Sequence, residues 1–139
     1  MHMQTSVYIA GSVVDVASQH EAALYRAVAE LAESRGHSAA VPVREGQLDA
    51  MAARDFAEEI TSRIAAAEYV VTILTGADPS PPVEAALASM LGKSQIIVSP
   101  GAQAPRILAG LRGVVRVVDS EDPEAVRGAV RDLLESLPA

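Results

Sequence analysis

The sequence predicts an α/β fold: a five-stranded parallel sheet in the order 2-1-3-4-5, held between two layers of helices as a three-layer sandwich. Three observations lead there. Short apolar, β-branched runs alternate along the chain with longer segments whose apolar residues recur at helical spacing. The strand-like runs are apolar on both faces, as strands covered on both sides must be. Gly, Pro, Ser and Asp punctuate the segments where helices start or stop.

Taken in order, Ser6 to Ala10 is a short buried strand that opens onto a loop at Gly11-Ser12. From Ser18 to Arg35, Leu24, Val28 and Leu31 form a helical stripe, with Gly36 as the stop. Ser38 to Val43 reads as a weaker strand. A polar connector then leads to a helix with Phe56, Ile60 and Ile64 on one apolar stripe, ending near Ala67. Tyr69 to Leu74 is the strongest strand, because five of its six residues are β-branched or aromatic, and it belongs in mid-sheet. Ser80 is placed to cap the next helix, Pro81 and Pro82 fall where N–H groups are dispensable, and Gly92 ends it. Gln95 to Ser99 is the fourth strand, Arg106 to Leu111 a short helix and Val114 to Val118 the fifth strand. Asp122 to Leu137 is a closing helix with Pro123 at its start. Strands alternating with helices require right-handed crossovers, so the natural architecture is Rossmann-like, of the flavodoxin-like kind.

A chain of 139 residues with 50% hydrophobic content suits one domain with a real core, read as residues 3–139 after a cloning remnant at 1–2. The net charge of −7 argues against a nucleic-acid polymer or an anionic membrane as partner. Without cysteine, thiolate nucleophiles, disulfides and Cys-based metal sites are excluded, and His2, His20 and His37 have no ligand-like spacing. No metal or cofactor is expected. With no long apolar span, the chain reads as a cytoplasmic protein.

In this strand order the sheet reverses direction between strands one and three, and ligands bind outside their carboxyl ends. The loops meeting there run from Gly11 to Val16 and from Thr75 to Pro82. Tyr8, Asp78 and Glu84 are thereby brought together. Glu84, read as lying in the first helical turn, shares a face with Leu87, Ala88 and Leu91 and points over the sheet edge as a half-buried, ionised carboxylate. A carboxylate with a phenol beside it and a second acid nearby can attack an anomeric carbon while another group protonates the leaving atom. The plainer alternative is an acid favoured near a helix start, a turn aspartate and a core tyrosine.

The patterns VYIAGS at 7–12, IAAAEYVVTIL at 64–74 and Glu84-Ala85-Ala86-Leu87-Ala88 leading to Gly92-Lys93 resemble the nucleoside 2-deoxyribosyltransferase family. Its relatives include hydrolases of 2'-deoxynucleoside 5'-monophosphates. The resemblance implies Glu84 as nucleophile, Tyr8 as its orienting partner and Asp78 as an acid acting on the leaving base. It also implies a site completed in a homodimer or larger homo-oligomer. Gly11, Ser12 and Ser80 are expected beside the substrate, and Arg106 and Arg112 are the candidates for a 5'-phosphate, against a plain surface role for both. This chain departs from the family at Ile60, where many relatives have an aspartate near the sugar. Asp55 and Glu59 lie off that stripe. It departs again at Pro81-Pro82, which replace glycines, at Asp15 in the first loop, and at Gln103-Ala104, where a neighbouring subunit contributes a serine in the hydrolases. These departures motivate a second reading, a non-catalytic member of the fold that binds a nucleotide or a partner protein. A cytokinin-type phosphoribohydrolase ranks lower, because Asp78 to Glu84 does not match its PGGxGTxxE motif.

Overall fold

The structure, a computed structural model, describes residues 6–11, 19–40, 52–74, 80–100, 106–120 and 122–136. Its elements in chain order are β1 (Ser6–Ala10), α1 (Gln19–Ser34), β2 (Ser38–Ala40), α2 (Ala53–Ala66) and β3 (Tyr69–Ile73). After them come α3 (Ser80–Met90), β4 (Ser94–Val98), α4 (Arg106–Ala109), β5 (Val114–Val118) and α5 (Pro123–Glu135). The strands form one parallel sheet in the order β2-β1-β3-β4-β5, as expected from the alternation of elements.

Strand alternation divides the core in two. Val7, Ile9, Tyr69, Val71, Ile73, Ile96 and Val98 face α1 and α5, which supply Leu24, Val28, Val126, Val130 and Leu133. Tyr8, Ala10 and Val70 face the opposite way, against Ile64 of α2 and Ala88 of α3, while Ile97 meets Ala85 and Leu108. Each buried Leu, Ile or Val contributes about 1.5–3 kcal/mol. Asp122 caps α5 by accepting the Glu124 N–H at 3.1 Å, with Pro123 in the first turn. Gly113 turns the chain into β5 at φ +90°, where a side chain would run into the Lys93 carbonyl.

Several boundaries differ from the sequence reading. β4 starts at Ser94, because Ser94 already pairs with Tyr69, and it closes at Val98. Residues 41–43, expected in the second strand, and Leu137 of the last helix lie outside the described residues. α4 is a single turn ending at Ala109. The stripe on α2 is not uniformly core: Ile64 is buried, Ile60 half-buried and Phe56 39% exposed, so the helix tilts its first turns away from the sheet. Among the described residues, no helix is long and apolar enough to cross a membrane.

Candidate active site

Tyr8 sits mid-way along β1 on the face covered by α2 and α3, its ring clustered with Ile64, Val70 and Ala88. It is only 7% exposed. Its hydroxyl donates to Oε1 of Glu84 at 2.5 Å, across 76 residues of chain. Burial, then the negative charge of Glu84 and the hydrogen bond to it, push the phenol far above the ordinary tyrosine range, against a smaller opposing effect of Arg63. Tyr8 therefore remains a protonated donor, and Oε1 of Glu84 is its acceptor.

Glu84 does not lie in the first helical turn. α3 begins at Ser80, so Ser80 is its first residue instead of a preceding cap, and Glu84 is one turn further in. The two prolines explain the early start, since the first turn of a helix needs no N–H donors. The helix dipole, which falls off within that turn, therefore favours Glu84 less than expected, and the Tyr8 hydroxyl holds it from β1.

A pocket of about 230 Å³ opens beside Glu84 between α2 and α3, walled by Phe56, Ala57 and Ile60 on one side and Ser80, Val83 and Leu87 on the other. Ile60, expected as plain core, is half-buried and forms part of this wall. Phe56, Val83 and Leu87 were not anticipated as lining, because only the approach of α2 to α3 turns a helix stripe into a pocket wall. Arg63, one turn on from Ile60, pairs with Glu59 at 2.9 Å. Asp55 is exposed, and neither it nor Glu59 lines the pocket.

Of the remaining candidates, Gly11 leaves β1 against the ring of Tyr25, and an added methyl would come within 2.7 Å of that ring. Arg106 and Arg112 are exposed and are not among the residues lining the pocket. Ser12, Asp15, Asp78, Gln103 and Ala104 lie outside the described residues. Three buried side chains on the same sheet face, Thr72, Gln95 and Ser99, each have a polar atom without a partner, although the Gln95 amide also donates to the Ala85 carbonyl at 3.0 Å.

No family model matches the sequence, and no curated protein does. Solved structures do share the fold. A conserved protein from Enterococcus faecalis V583 is similar at 19% identity and TM-score 0.69, over 94% of this chain and 99% of that one. The CMP N-glycosidase BcmB of Clostridium botulinum is similar at 14% identity and TM-score 0.64, over 96% of this chain and all of the other. A candidate pilus assembly protein (cpaE) from Burkholderia thailandensis E264 follows at 18% identity and TM-score 0.55, over 96% of this chain and 100% of that one. At these identities the likeness is one of fold, and the fold hosts proteins of different function.

Proposed function

We propose that this chain acts at the N-glycosidic bond of a nucleoside or nucleotide, by hydrolysis or by transfer, with Glu84 as nucleophile and Tyr8 as its positioning residue. The observation that carries this reading is the 2.5 Å hydrogen bond between them at an open pocket. A surface glutamate with only a structural role has no need of a buried phenol donor. The fold shared with a protein named as a CMP N-glycosidase supports the same chemistry.

In the reaction a carboxylate oxygen of Glu84 bonds to C1' as the C1'–N bond breaks, its electron pair staying with the base nitrogen. Asp78, as the family resemblance implies, gives the base its proton. Water then attacks C1', the bond to Glu84 breaks and restores the carboxylate, and the proton lost by water returns to Asp78. A second nucleobase in place of water makes the reaction a transfer. Tyr8 orients Glu84 in the first step and stabilises it as the departing carboxylate in the second.

The test is a chromatographic screen of deoxynucleosides, ribonucleosides and their monophosphates with wild type and Glu84→Ala. Free base released by wild type alone is expected; release by both proteins, or by neither, overturns the assignment. One observation favours a second reading. Ile60 makes the pocket wall apolar where the resemblance implies an acid, which suits a non-catalytic nucleotide-binding protein. Thermal stabilisation by nucleotides without turnover would select it.

A further inference from the structure

We propose that Thr72, Gln95 and Ser99 bind a pair of internal water molecules beneath α3, on the sheet face that carries Tyr8. All three residues are at most 1% exposed, and among the described residues Thr72 Oγ1, Gln95 Oε1 and Ser99 Oγ have no hydrogen-bond partner. A buried hydroxyl or amide oxygen left unpaired costs free energy, so nearly all such groups in folded proteins are paired, with protein or with water. Gln95 cannot relieve its oxygen by turning over. Its Nε2 donates to the Ala85 carbonyl at 3.0 Å, and a flipped amide would set oxygen against oxygen. Ala85 and Ala88, which α3 buries against this face, offer no side-chain donor.

The strand register sets the spacing. Thr72 pairs with Ile97, so Gln95 and Ser99 lie two residues to either side of its partner, on the same face. The ladder continues past the strand ends, since the Leu74 N–H donates to Val98 and the Ser99 N–H to Val118. A strand spacing of about 4.8 Å and a two-residue rise of about 6.6 Å put the Cβ of Thr72 roughly 8 Å from that of Gln95 and from that of Ser99. Two hydroxyls at that spacing do not meet directly, but one water between them reaches both. Each midpoint lies about 4 Å from all four surrounding Cβ atoms, so Val70 and Ile97 flank one water and Leu74 and Ile97 the other. The Thr72 hydroxyl donates once and accepts twice, and therefore serves both. One water reaches the Gln95 oxygen and the other the Ser99 hydroxyl, which gives each the minimum of about two polar partners that buried water needs. Through the Gln95–Ala85 bond they join the sheet to the turn of α3 that holds Glu84, whatever reaction Glu84 performs.

The experiment is magnetic relaxation dispersion of the water oxygen, which counts water molecules held for longer than the protein takes to tumble. It is run on wild type, Thr72→Val and Ser99→Ala. Val matches Thr in shape and removes only the hydroxyl. Thr72→Val is expected to lose the signal of both waters and Ser99→Ala that of one. Thr72→Val should also lower the melting temperature by about 3–8 °C, because the Gln95 oxygen and the Ser99 hydroxyl lose their bridges. An equal dispersion amplitude in all three proteins overturns the proposal. So does a melting temperature that is unchanged or raised in Thr72→Val, the outcome when a dry hydroxyl gives way to a methyl. If Thr72→Val does not fold, Ser99→Ala decides alone: loss of one water supports the proposal, and no loss overturns it.

Discussion

At the scale of the residue, the pair Tyr8 and Glu84 concentrates the chemistry. Both types were evident in the sequence, and the topology sufficed to bring them to one sheet edge. Their 2.5 Å contact depends on the side-chain packing of Ile64, Val70 and Ala88 around the phenol. Tyr8→Phe removes a hydrogen bond to a charged group, worth about 1.5–3 kcal/mol, while keeping the ring in its cluster. We expect kcat to fall roughly tenfold to a hundredfold with KM little changed, because orientation of the nucleophile matters in the transition state. Steady-state kinetics together with an unchanged circular dichroism spectrum check this; an unaltered kcat would reduce Tyr8 to a core residue. Ile60 shows the limit of reading spacing alone. Its period assigns it to the α2 stripe, but how deep that stripe sits depends on the helix's tilt.

At the scale of the element, strands and helices were legible because their apolar periods differ, 2 against 3.6. Their ends were less so. The start of β4 at Ser94 depends on its pairing with Tyr69 in β3, which no local pattern encodes. Gly11 is a similar case, since its lack of a side chain looks like loop chemistry and is in fact demanded by Tyr25 of α1. Gly11→Ala should destabilise the fold by about 1–3 kcal/mol through overpacking, measured by urea unfolding. Asp122→Ala should cost about 1 kcal/mol by uncapping α5, in the same assay.

At the scale of the whole molecule, two buried tyrosines tie stability to alkaline pH. The phenols of Tyr8 and Tyr69 are both raised, Tyr8 by burial and Glu84, Tyr69 by burial and Glu68. Below the unfolded phenol pKa of about 10, both states keep the proton and nothing changes. Above it the unfolded chain ionises first, so the folded state binds more protons and stability falls as pH rises. Urea midpoints followed from about pH 8 to pH 11 should decline, and Tyr8→Phe should flatten that decline. We also propose a homo-oligomer: Val83, Met90 and Leu91, on or just after α3, and Ile107 of α4 are exposed apolar side chains on one side of the sheet. Light scattering at micromolar concentration should give more than the 14.5 kDa monomer mass.

By itself the sequence determined the fold class, the strand order and the meeting of Tyr8 with Glu84, because periodicity, handed crossovers and side-chain alternation follow from local chemistry. The tertiary structure alone decided that the stripe of α2 becomes a pocket wall beside Glu84 and that the described lining carries no cation. Each of these depends on how one helix leans on another, and that packing angle is set by contacts between residues far apart in the chain.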